Sequence, residues 1–169
     1  MKPGVMLDLE TLGNRPGCVI VAIGACVFDR DGISREFYER VDVASCEAIG
    51  LHLDASTVLW WMKQNEDARA ELQRPGIDIV SALRSFRDWL PDYEVWGNGS
   101  DFDNTILSAA YHAAKMPTPW KFWNNRCYRT VANLRKDIHL LRGGTHHNAL
   151  DDAKTQAAHL RHILHEGLA

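Results

Sequence analysis

Nowhere in its 169 residues does this chain hold an apolar run of the ~20 residues that a bilayer-spanning helix needs, so no transmembrane segment is expected. It has no CxxC pair. Cys18, Cys26, Cys46 and Cys127 stand apart, which excludes a cysteine zinc site and a tight disulfide framework. Reduced thiols in a cytoplasmic protein are the expectation. Met1-Lys2-Pro3-Gly4 runs straight into a strand-like segment, so no signal peptide is expected either. There is no excess of positive charge, and a formal net charge of −3 excludes binding nucleic acid by bulk charge alone. Repeats, linkers and low-complexity tracts are also missing. Residues 1–169 are therefore expected to form one domain, a length that suits a real core.

What is present is unevenly distributed. From Lys115 to Arg142 lie seven basic residues (Lys115, Lys121, Arg126, Arg129, Arg135, Lys136, Arg142) and one acid, Asp137. Such a stretch is either a solvated helix face or a local surface for a phosphate chain. Val5 to Leu9 and Val19 to Phe28 read as strands, Asp29-Arg30-Asp31-Gly32 as a hairpin turn, and Ile33 to Val41 as a third strand. The opening is thus an antiparallel meander. Helices are expected from Ala55 to Asn65, Glu66 to Gln73, Asp78 to Leu90, Phe102 to Ala114, Tyr128 to Lys136 and Asn148 to His165. Tyr93 to Trp96 and Phe122-Trp123 are expected as the fourth and fifth strands. Strands first, then helices alternating with strands, imply an α/β fold with a mixed five-stranded sheet flanked by helices, the element order of the ribonuclease H-like architecture.

The chemistry-bearing residues are scattered. Asp8 and Glu10, two apart on the first strand, share one face. Two carboxylates at the end of an apolar strand repel each other unless they are solvated or share a divalent cation, and hard oxygen donors suit Mg²⁺ or Mn²⁺. Asp101 and Asp103 follow the fourth strand, at the strand ends where α/β sheets gather ligands; each also reads as a helix-capping acid. Asp151 and Asp152 open the last helix, where acids also favour the helix dipole. His146 and His147 precede it in a glycine-rich loop, and a loop histidine near a metal site suits a general base at neutral pH.

Three segments together resemble the DnaQ-like 3′–5′ exonucleases of the DEDDh type. They are Asp8-Leu9-Glu10-Thr11, Asn98 to Asp103 ending in Phe102-Asp103, and His147-x-Ala149-x-x-Asp152, in that order across nearly the whole chain. Asn148 stands four residues before Asp152, where the tyrosine subtype carries tyrosine. The resemblance selects Asp103 over Asp101, Asp152 over Asp151, and His147 over His146. It implies a site for two metal ions, Mg²⁺ or Mn²⁺, bridged by Asp8. Glu10 and Asp152 hold the ion that carries the attacking water, and Asp103 supports the second. His147 is the implied base, and nucleoside 5′-monophosphates leave from single-stranded DNA or RNA 3′ ends. It further implies that backbone at Thr11 meets the 3′-hydroxyl and that Leu12 touches a base. Trp60-Trp61-Met62-Lys63-Gln64 is similar to the small stand-alone subgroup that includes phage DexA-type exonucleases and a mycobacterial exoribonuclease-like group. One of these tryptophans is expected in the core and the other, with Trp61 as the candidate, against a base. A homodimer is also consistent with that subgroup.

Three other readings compete. His159, His162 and His165 recur every three residues and suggest zinc, without cysteine support. A non-catalytic nucleic-acid adaptor would be expected to lack some of the five site residues, and all five are present. A proofreading polymerase subunit would be expected to carry a tether after the last helix, and none is seen.

Overall fold

In a computed structural model the described residues are 2–141, 143–144 and 147–167. The meander forms as expected: β1 (Gly4–Thr11), β2 (Ile20–Phe28) and β3 (Ile33–Arg40). Four helices follow: α1 (Val43–Ala48), α2 (Ala55–Trp61), α3 (Glu66–Gln73) and α4 (Ile79–Trp89). Then come β4 (Glu94–Gly97), α5 (Asp103–Ala113), β5 (Asn125–Cys127), α6 (Tyr128–Leu134) and α7 (Ala149–Glu166). The sheet order is β3-β2-β1-β4-β5. The first three strands are antiparallel, while β1 pairs with β4 and β4 with β5 in parallel.

Three details depart from expectation. The fifth strand is Asn125–Cys127, and Phe122–Asn124 is a single 3₁₀ turn. Phe122 and Trp123 are exposed; the residues that continue the sheet are those standing opposite Val95–Gly97. The first predicted helix ends at Trp61, four residues early. The six-residue α1 was not anticipated, although Asp42 caps it by accepting from the Ser45 N–H at 3.0 Å.

Strand alternation divides the core in two. Val5, Leu7 and Leu9 face α4 and α5, in a cluster with Ile79, Leu83, Phe86, Ile106, Leu107 and Tyr111. Met6, between them in sequence, faces the other way and packs with Ala153, Ala157 and Leu160 of α7 and Tyr128 of α6. Helices therefore cover both sides of the sheet. None of the helices among the described residues is long and apolar enough to cross a membrane.

Candidate active site

The alternation that sends Met6 toward α7 also sends Asp8 and Glu10 there. The helix can come close because Gly24 stands opposite Asp8 on β2. A methyl group on Gly24 would lie 2.2 Å from the Ala149 carbonyl carbon and 2.3 Å from the Leu150 nitrogen. The first turn of α7 thus rests on bare backbone. Lys154, ion-paired to Glu36 of β3 at 2.7 Å, ties the helix down beyond it. Asp152 and Gln156, four residues apart, share the face that looks onto the end of β1. Gln156 Nε2 donates to Asp8 Oδ1 at 2.7 Å.

Asp103 arrives from the other side of β1. The parallel ladder between β1 and β4 stops at Met6–Trp96. Beyond that point the Asp103 carboxylate joins the two chains: Oδ1 accepts from the Leu9 N–H at 3.1 Å and Oδ2 from the Asn98 N–H at 2.6 Å. It is only 1% exposed, while Asp101 is exposed. Of the second acidic pair, Asp152 reaches the cleft and Asp151 does not. His147 sits at φ 65°, a left-handed conformation uncommon for a residue with a side chain. Its N–H donates to Asp152 Oδ2 at 3.0 Å. Its ring lies edge-on to Trp60 and Trp61, with centroids 5.1 and 5.5 Å away. His146 lies outside the described residues.

The result is a cleft of about 590 Å³, lined by Asp8, Glu10, Thr11, Asn98, Arg129, His147, Asp152 and Gln156 together with both tryptophans. Its electrostatics are adverse. Burial pushes Asp8 well above its usual range, and Asp103, Glu10 and Asp152 push it further, against the Gln156 hydrogen bond. Glu10 is pushed from 4.5 up to about 8, by burial first and then by Asp152, Asp103 and Glu71. Burial raises Asp103 to about 6, with the Asn98 and Leu9 N–H groups and Arg129 opposing the rise. Glu10, His147 and Asp152 each offer a ligand atom, and those three atoms lie within 4.8 Å of one another. The carboxylates supply hard oxygens, with one imidazole beside them. Together with carboxylates that their surroundings hold up, this set fits a divalent cation.

The weaker substrate expectations divide. Thr11 lines the cleft, with its hydroxyl donating to the Gly13 carbonyl at 2.6 Å. Leu12 is half-buried against the main core and does not line the cleft. Trp61, the candidate for a base contact, is 3% exposed, and its indole N–H donates to the Thr11 carbonyl at 2.8 Å. Trp60 is 44% exposed, so the open ring face in this pair is its own. Gln156 and Arg129 were not anticipated as cleft residues. Gln156 had one legible signal, its position one helical turn beyond Asp152. Arg129, with NH2 donating to the Asn98 carbonyl at 2.6 Å, was visible only as one member of the basic stretch. The rival zinc reading finds no support: both ring nitrogens of His159 are engaged, by the Tyr128 hydroxyl at 2.7 Å and the Ile138 carbonyl at 2.8 Å.

The sequence model of a family described as the 3'-5' exoribonuclease Rv2179c-like domain matches residues 4–164. Among curated proteins none matches the sequence. Solved structures with the same fold include cell-death related nuclease 4 (14% identity, TM-score 0.68), covering 98% of this chain and 64% of the other. This chain thus spans somewhat less than two thirds of that protein. The nuclease domain of 3'hExo, a DEDDh family member bound to rAMP, is 16% identical with TM-score 0.63, covering 98% and 92%. Exonuclease X in complex with 5' overhanging duplex DNA is 16% identical with TM-score 0.62, covering 96% and 92%. At these identities the likeness is one of fold, the ribonuclease H-like sheet with its flanking helices.

Proposed function

The chain belongs to the Rv2179c-like family of 3'-5' exoribonuclease domains, and on that premise we propose that it removes nucleotides from the 3′ end of single-stranded RNA and releases nucleoside 5′-monophosphates. The observation that carries the reading is the convergence of Asp8, Glu10 and Asp152 with His147 on one cleft, with Asp103 locked behind them. Carboxylates held up by burial and by one another have a use for a cation. Divalent ions held by this set would activate water and stabilise the charge of an in-line displacement at phosphorus.

The chain's own groups do the rest. His147 takes the proton of the attacking water as the new P–O bond forms and the P–O3′ bond breaks. The phosphate stays on the departing nucleoside, and the freed 3′ oxygen of the shortened chain gains a proton from solvent. The Asp152 carboxylate, bonded to the His147 N–H, keeps that residue beside the cleft. Trp60 offers its exposed ring face to a base, and Arg129, exposed at the cleft wall, offers charge to a phosphate. The family's description favours RNA over DNA.

The deciding experiment uses 3′- and 5′-labelled single-stranded RNA and DNA with Mg²⁺, Mn²⁺ or EDTA, with products resolved by length. We expect mononucleotides from the 3′ end, faster on RNA, and none in EDTA. A ladder growing from the 5′ end, or cleavage that survives EDTA, would sink the proposal. His147→Ala is expected to lower kcat by about 10²- to 10⁴-fold, with Mn²⁺ affinity changing far less. A parental rate across pH 6–9 would remove His147 as the base.

A further inference from the structure

Gln156 is 6% exposed, lines the cleft, and belongs to none of the motif positions. Its amide nitrogen is committed to Asp8 at 2.7 Å. The amide is set with Nε2 toward Asp8 and Oε1 turned away, the orientation that a carboxylate holding a cation, an acceptor only, would keep. That oxygen is buried and has no hydrogen-bond partner among the described residues. Buried carbonyl oxygens are seldom left in this state, and water or an ion commonly explains the exceptions.

Among the described residues one other side-chain oxygen shares the condition, Oδ1 of Asn104. Asn104 does not line the cleft, and its amide nitrogen serves the Val95 carbonyl and Asn125 Oδ1, at 2.8 and 3.0 Å. Its oxygen presses on Gly97, where a methyl group would lie 2.3 Å away. Asn104 is a seam between α5 and β4. Gln156 instead joins three properties: a buried orphaned acceptor, a donor bond to a candidate metal ligand, and a place in the lining of the cleft.

We propose that Gln156 is a positioning residue of the metal site, holding Asp8 through Nε2 and, through Oε1, a water of the bound cation's hydration shell. The inference rests on the metal-dependent reading given above. Mg²⁺ keeps several of its waters when bound, and each needs an acceptor beyond the metal. Asp8, oriented by Gln156, keeps its remaining lone pairs for the ion. Partners one bond beyond a metal's ligands typically change affinity or activity by 10- to 100-fold.

The test compares Q156L, Q156E and D8A with the parent. Mn²⁺ binding is followed by electron paramagnetic resonance without substrate, and kcat and KM are measured on single-stranded RNA. For Q156L we expect Mn²⁺ affinity weakened about tenfold and kcat lowered by about 10- to 100-fold, with KM within twofold and an unchanged circular dichroism spectrum. Q156E keeps an acceptor oxygen but loses the donor to Asp8, and is expected to recover Mn²⁺ affinity only in part, to between Q156L and the parent. Parental affinity and kcat in Q156L would overturn the proposal. Q156E as weak as Q156L would overturn the water-holding role. If Q156L does not fold, Q156N, which retracts the amide by one methylene, is read by the same two quantities. D8A separates this proposal from the reading beneath it. Should D8A bind Mn²⁺ like the parent, the metal site itself is wrong; should D8A lose the ion while Q156L keeps it, only the role of Gln156 fails.

Discussion

At its N-terminal end α7 sets Asp152 and Gln156 over the end of β1, beside two more carboxylates and an imidazole. In its C-terminal half it carries His159, His162 and His165, three imidazoles at helical spacing. Both ends hold side chains that bind metals elsewhere. At the far end His159 is packed between Tyr128 and the Ile138 carbonyl with both ring nitrogens used, and its companions are exposed. At the near end burial and mutual repulsion leave Asp8 and Glu10 wanting positive charge. What separates a site from a surface here is unsatisfied bonding capacity, which residue type alone does not reveal.

The largest effect that would break this comparison is loss of a carboxylate at the near end. Asp8→Ala or Asp152→Ala is expected to lower cleavage of single-stranded RNA by about 1,000-fold or more, with the fold intact by circular dichroism. Asp103→Ala should lose activity too, and also stability, because the Leu9 and Asn98 N–H groups lose their acceptor. A variant that cleaves like the parent would remove that residue from the site.

Gly24→Ala is next. The added methyl meets the backbone of Ala149 and Leu150 and must lift the near end of α7. Overpacking of this kind costs about 1–3 kcal/mol, and a shift of about 1 Å at a reacting group costs about 100-fold in rate. A parental kcat would mean that the seat of α7 does not set the site.

At the far end His159→Ala removes the imidazole that bonds to the Tyr128 hydroxyl and the Ile138 carbonyl. We expect a loss of about 2 kcal/mol, read as a lower Tm, with kcat within twofold of the parent. A large loss of activity without loss of stability would overturn the contrast between the two ends.

The smallest effect is the dependence of metal-free stability on pH. Glu10 has its folded value raised from 4.5 to about 8, so between those values the native protein holds a proton that the unfolded chain has released. That contribution is fully present below about 4.5 and is lost as pH rises toward 8. Asp8 and Asp103 shift in the same direction. The Tm in EDTA is expected to fall by about 5 °C from pH 5 to pH 8, and saturating Mg²⁺ or Mn²⁺ should cancel much of the fall. A metal-free Tm that rises over this range would contradict the adverse electrostatics of the cleft.

Much of this was legible beforehand, for identifiable reasons. β1 to β3 fell near their observed bounds because apolar runs punctuated by Asp29-Arg30-Asp31-Gly32 leave few alternatives. The motif contexts separate Asp103 from Asp101 and Asp152 from Asp151; Asp103 is buried where Asp101 is exposed, and Asp152 lines the cleft. β5 was misplaced because two aromatic residues look like a strand, whereas parallel pairing with β4 selects the polar Asn125-Arg126-Cys127. In sequence Trp61 is the candidate for the base contact, with nothing local to separate it from Trp60. Only the reach of Trp61 to the Thr11 carbonyl decides which of them is sealed and which is open.

By itself the sequence determined the sheet order's opening, the family and the list of acids, because periodicity and motif spacing are local properties of a chain. Tertiary structure alone decided that Gly24 is the seat of α7, that Gln156 holds Asp8, and that Asp103 closes the gap between β1 and β4. Each of these joins residues remote in sequence, 148 positions apart for Gln156 and Asp8. No local pattern encodes such a contact; it exists only once two faces of one sheet have been packed.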